Sequence, residues 1–110
     1  MKSSFKQHRL GAVIVKGNRI LATGFNKRGY NSVTHKPTMH AEASAILKLL
    51  KQRRLHDLVG SELYVTRYTR GGMVGMARPC PDCWDLINSV GITKVHFTSE
   101  TGETISESVN

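Results

Sequence analysis

The chain has 110 residues, 39% hydrophobic and 22% charged, which is a globular composition for one domain spanning 1–110 and excludes intrinsic disorder. No apolar run approaches the roughly 20 residues of a membrane span, and the stretch from Met1 to Lys6 lacks the apolar core of a secretion signal, so a cytoplasmic protein with no membrane partner is expected. The formal net charge is +8, and all of it comes from residues 1–41, which hold eight Lys or Arg and no Asp or Glu.

Residues 1–8 are short and polar and read as no more than a stub of helix. Gly11–Lys16 is apolar and β-branched and predicts a buried strand. Gly17-Asn18 is a turn signal, and Arg19–Phe25 predicts the second strand of a hairpin. Residues 26–39 are polar and carry Gly29, Asn31, Ser32 and Pro37, which predicts a loop. A helix is expected from Met39 or His40 to about Arg54, with Thr38 as N-cap and Ala43, Ile46, Leu47 and Leu50 as its buried stripe.

After Gly60, Glu62–Tyr68 predicts a third strand, and residues 69–79, with three glycines, a long mobile loop. A second helix is expected from Cys80 to Val90, its stripe formed by Cys83, Leu86, Ile87 and Val90, with Gly91 just past its end. Ile92–Thr98 predicts a fourth strand and Glu103–Glu107 a short fifth. The order ββαβαβ(β) describes a three-layer α/β domain.

The two cysteines, Cys80 and Cys83, form one Cys-x-x-Cys, which is no disulfide framework; it reads as metal ligands or a redox pair. Pro81 and Asp82 between them, with a His-x-Glu upstream, favour the metal. His40 at the start of one helix and Cys80 and Cys83 at the start of the other supply one nitrogen and two thiolates, a set suited to Zn²⁺. Three protein ligands leave a fourth tetrahedral position for water, as in catalytic zinc sites. Glu42, two residues from His40, lies within reach of such a water without ligating the ion. His8, His35, His56 and His96 lack a motif and are expected on the surface or in loops.

His40-Ala41-Glu42 followed by Pro79-Cys80-Pro81-Asp82-Cys83 matches the H-x-E…P-C-x-x-C signature of zinc deaminases. With Gly11–Val15, Ala22–Asn26, Leu63–Thr66 and Gly91–Val95, the chain resembles the cytidine deaminase superfamily, in its deoxycytidylate-deaminase-like branch. The resemblance implies a three-layer α/β/α cytidine-deaminase-like fold with a mixed sheet of four to five strands, here with a shortened N-terminal helix. It implies that His40, Cys80 and Cys83 bind zinc, that Glu42 shuttles protons, and that Asn26 and the backbone N–H of Ala41 contact substrate.

The activity implied is hydrolytic deamination of a cytosine base in a free nucleoside or nucleotide, giving the uracil counterpart and ammonia. One alternative is a deaminase acting on cytosine or adenine within RNA or single-stranded DNA, supported by the basic first part of the chain. A second is a non-catalytic, zinc-stabilised binding module. Arg67, Arg70 and Arg78 flank the glycine-rich loop, where a phosphate clamp and a solvated loop are equally expected. The small size and the short N-terminal helix predict a homo-oligomer, a dimer or tetramer.

Overall fold

The computed structural model describes residues 9–25, 27–31, 36–68 and 74–109. β1 (Arg9–Lys16) and β2 (Arg19–Phe25) form the expected antiparallel hairpin around Gly17-Asn18. Within the segment read as a loop, the chain instead forms two short strands, β3 (Lys27–Asn31) and β4 (Lys36–Met39), paired antiparallel as a separate sheet. These strands show no apolar alternation, so nothing periodic announced them. Pro37 is tolerated because each strand of a two-stranded sheet keeps one edge outside the ladder.

α1 runs over Ala41–Lys51 with His40 as its N-cap, while Thr38, the expected cap, lies in β4 opposite Arg28. The helix stops three residues before the expected Arg54 because Arg53 takes the left-handed conformation (φ 56°). The N–H of Arg54 donates back to the carbonyl of Leu49 at 2.8 Å. This is a helix stop made without glycine, which is why it left no mark in the sequence. A one-turn helix, α2 (Leu55–Leu58), follows. Leu49, rather than Leu47 or Leu50, is fully buried, alongside Ala43 and Ile46.

β5 (Glu62–Tyr68) leads to β6 (Val74–Gly75), which pairs back on it; the segment expected as one long loop therefore contains a strand, and residues 69–73 lie outside the described residues. α3 (Pro81–Ser89), β7 (Lys94–Thr98) and β8 (Thr104–Ser108) complete the chain close to the expected bounds. Gly91 has φ 87° at the C′ position of α3, and a Cβ there would press on Val59, so the turn needs glycine twice over.

The main sheet has the order β2-β1-β5-β7-β8, with β6 on β5. β5 and β7 are parallel and the other pairs antiparallel, so the sheet is mixed, with five strands on its main path as expected. The alternation is that of a half-buried sheet: Ala12, Ile14, Leu63, Val65, Val95 and Phe97 all enter one core with α1 and α3. Val13, Tyr64 and His96 therefore point to the opposite face. The expected N-terminal stub of helix, residues 1–8, lies outside the described residues. Among the described residues no helix is long and apolar enough to cross a membrane.

Gly24 sets the distance between sheet and helix. A Cβ there would fall on the carbonyl oxygen of Ala41 and the backbone nitrogen of Ala45, so α1 lies on β2 at a separation only glycine permits. Gly24→Ala should lower the unfolding free energy by at least about 2 kcal/mol, toward the upper end of overpacking effects. An unchanged urea midpoint would show that α1 retreats freely from β2.

Candidate metal centre and active site

β2 and β5 are both antiparallel to β1, and β5 is parallel to β7. The carboxyl ends of these three strands therefore lie along one edge of the sheet, the edge where α/β proteins place their sites. α1 and α3 both begin there. Their N-caps, His40 (φ −71°, ψ 153°) and Cys80 (φ −70°, ψ 165°), have the extended backbone of caps, but neither side chain makes a capping hydrogen bond. A Ser, Thr, Asn or Asp at such a position contributes about 0.5–2 kcal/mol. Here both side chains turn to each other instead.

Nδ1 of His40 is 3.2 Å from Sγ of Cys83 and 3.6 Å from Sγ of Cys80. All three donor atoms lie within 4.8 Å of one another, and among the described residues this is the one cluster of His, Cys, Asp or Glu able to hold a metal ion. The i, i+3 spacing of the cysteines serves this by placing Cys83 on the first turn of α3, next to the cap residue. One imidazole nitrogen and two sulfurs are donors for zinc.

The electrostatics fit a cation. Cys83 is fully buried, and burial first, then the charges of Glu42 and Cys80, pushes its thiol well above the ordinary range. A dication reverses that balance and holds the sulfur as thiolate. Glu42, in the first turn of α1, is 2% exposed. Desolvation raises its pKa from 4.5 to about 7, against a lowering contribution from its own backbone N–H. Its Oε1 is buried without a hydrogen-bond partner, alone in this among the described side-chain atoms. Such an orphaned oxygen is costly in a core and belongs to a group with a further partner to meet.

Ala41 is fully buried at the first helical position, where a backbone N–H has no acceptor within the helix. Asn26 lies outside the described residues, as do His8 and His35. His96 departs from the expected surface setting. It sits in β7 with its side chain 13% exposed, stacked on Tyr64 at 4.2 Å and hydrogen-bonded to Glu62 (2.6 Å) and Ser106 (2.7 Å), where it ties strands together on the far face. Of the arginines weighed as a phosphate clamp, Arg67 donates to the carbonyl of Met76, and Arg70 lies outside the described residues. Arg78 makes a two-pronged pair with Glu107 at 3.0 and 3.1 Å, and its guanidinium lies 4.9 Å from the centre of the Trp84 ring. Glu107 carried no signal in the sequence, because its partner is 29 residues away.

Residues 1–99 match the family described as the cytidine and deoxycytidylate deaminase zinc-binding region. The chain belongs to this family. Among its relatives is an uncharacterized deaminase in the luxG 3′ region of Aliivibrio fischeri, 33% identical over 110 residues, covering 89% of this chain and 63% of the relative. A deoxycytidylate deaminase of Mycobacterium phage D29 is 29% identical over 123 residues, covering 91% of this chain and 85% of the relative. A solved dCMP deaminase of cyanophage S-TIM5 superposes with a TM-score of 0.61 at 34% identity, covering 84% of this chain and 67% of that one. That enzyme has also been solved with dCMP and dUMP. The chain thus spans less than two thirds of the Aliivibrio relative. For a member of this zinc-binding family, Zn²⁺ is the cation that the His40, Cys80 and Cys83 cluster fits.

Metal analysis gives the direct check. The purified chain should carry about one Zn²⁺, and Cys80→Ala and Cys83→Ala should each lose most of it, since a structural or catalytic site rarely tolerates two ligands. Full zinc retention in both variants would place the ion elsewhere.

Proposed function

We propose that this chain is a zinc-dependent deaminase that converts a cytosine base, in a free nucleoside or nucleotide, to its uracil counterpart and ammonia. The observation that carries the reading is Glu42: a buried carboxylate with an unpartnered oxygen, two residues from one donor of the His40, Cys80 and Cys83 cluster. A purely structural zinc site gives such a group nothing to do. The S-TIM5 relative solved with dCMP and dUMP supports a cytosine nucleotide as substrate.

In this mechanism His40, Cys80 and Cys83 hold Zn²⁺, which when bound makes a water acidic enough to supply a nucleophile at neutral pH. Glu42 would take a proton from a water as the oxygen of the water adds to C4 of the ring, and would deliver that proton to N3. Glu42 then carries the second proton to the exocyclic nitrogen, which departs as ammonia. Water is consumed, C4–N breaks and C4–O forms, with no redox change. The unpartnered Oε1 of Glu42 supports its use in both transfers, to the substrate and from the water. In this reading the first-turn N–H of Ala41 donates to the base carbonyl, and Asn26 is the further contact we assign to substrate.

The basic excess of residues 1–41 favours a second reading, in which the base lies within RNA or single-stranded DNA. We further propose that residues 1–110 act as one cytoplasmic domain in a homo-oligomer, since Ile20 (69% exposed) and Tyr64 (42%) stand on the sheet face away from α1 and α3. Light scattering at micromolar concentration should show a mass of at least two chains.

The deciding assay is ammonia release from cytosine, cytidine, deoxycytidine, their monophosphates and a cytosine-bearing oligonucleotide. Turnover is expected on a free nucleoside or nucleotide. Turnover confined to the oligonucleotide, with steep loss of binding in salt, would establish the second reading. Glu42→Gln should keep fold and zinc yet lose about 10²–10⁴-fold in rate, the usual worth of a general acid–base. Near-wild-type release by that variant would assign the proton transfers to another residue.

A further inference from the structure

Cys80 is not delivered by a regular element. It ends an extended strap, residues 76–80, that leads into α3. The strap is tethered at one end by the N–H of Ala77, which donates to the carbonyl of Thr98 in β7 at 2.8 Å, and at the other by the N–H of Trp84, which donates to the carbonyl of Cys80 at 2.8 Å. Ala77 and Pro79 face inward, so Arg78 between them faces out. Its Nε and Nη2 donate to Oε2 and Oε1 of Glu107, and its planar group lies over Trp84, the residue after Cys83. One guanidinium therefore ties three pieces together: the strap, the edge strand β8 and the first turn of α3.

A bidentate fork fixes orientation as well as distance, and stacking on an indole fixes the plane. The pair is partly exposed, 48% at Arg78 and 31% at Glu107, so as an ion pair it adds little to global stability. Its consequence is positional.

We propose that Arg78, held by Glu107 and Trp84, is a positioning residue for the metal centre: it sets where Cys80 sits relative to Cys83 and His40, and so makes β8 an anchor of the site. The inference rests on the zinc reading above. It also withdraws Arg78 from service as a phosphate clamp, because its fork is already taken.

The test compares wild type with Arg78→Ala, Glu107→Ala and the double variant, using Co²⁺ as the probe metal. Metal affinity is read by competition with a chromophoric chelator, the coordination geometry by the cobalt absorption bands, and Tm with and without metal. Each single variant should bind metal about 10–100-fold more weakly, as residues supporting metal ligands do. The cobalt bands should change shape, and the double variant should be no worse than Arg78→Ala, since both changes break one contact. The metal-free Tm should stay within a few degrees of wild type while the rise in Tm on adding metal shrinks. Arg78→Lys, which keeps the charge without the fork, should restore little.

Unchanged affinity and an unchanged cobalt spectrum would overturn the proposal. So would an equal fall in Tm with and without metal, which marks a plain structural staple. If Arg78→Ala does not fold, Glu107→Ala decides the matter alone, because its site is an exposed edge strand. A wild-type chain that takes up no cobalt would overturn the zinc reading itself, and this inference with it.

Discussion

Two helices begin at one sheet edge with cap residues that do not cap. His40 and Cys80 stand where a hydroxyl or carboxamide would tie down the first turn, and both turn their side chains to a shared point with Cys83. That meeting of donor atoms is the constraint on which the rest of the structure depends. It requires β2, β5 and β7 to point the same way, so that both helix starts reach the same edge. It requires α1 to lie against β2 at the separation Gly24 allows. An ion joining the three donors would couple its own binding to folding, because the donors come from two helices.

The same edge confines Glu42. A carboxylate that is 2% exposed with an unpartnered oxygen is unfavourable in any protein that uses it only for packing. Its place beside three metal donors is what supports the proposed proton-transfer role. The positive ends of two helices converge on this place, and they favour the thiolates and a negatively charged carboxylate near the cation. Burial, the largest cause driving both Cys83 and Glu42 toward their neutral forms, is also what would let a dication dominate the local electrostatics.

Support for the site reaches beyond its donors. The strap before Cys80 is held from β7, from α3 and from β8, and β8 follows the metal-binding helix in the chain. The last strand therefore contributes to a centre that the middle of the chain builds. On the far face of the sheet, Glu62, His96 and Ser106 tie β5, β7 and β8 together, which stiffens the strand that Glu107 occupies.

The sequence alone determined what local chemistry can express. The residue types and spacing of His40, Cys80 and Cys83 pointed to a metal, and the resemblance to zinc deaminases gave Glu42 its expected proton-shuttling role. Apolar, β-branched segments bounded by turn signals placed β1, β2, β5 and β7, and Gly91 marked the end of α3. β3 and β4 were invisible because their sequences carry no apolar alternation, and the end of α1 was invisible because Arg53, a non-glycine, adopts the left-handed turn. Only the tertiary structure decided that His40 and Cys83, 43 residues apart, stand 3.2 Å from each other, that Oε1 of Glu42 is buried without a partner, and that Arg78 pairs with Glu107. The reason is physical. Periodicity, caps and turns are properties of neighbouring residues, whereas which helix starts and which side chains meet is set by the order and direction of strands in the sheet.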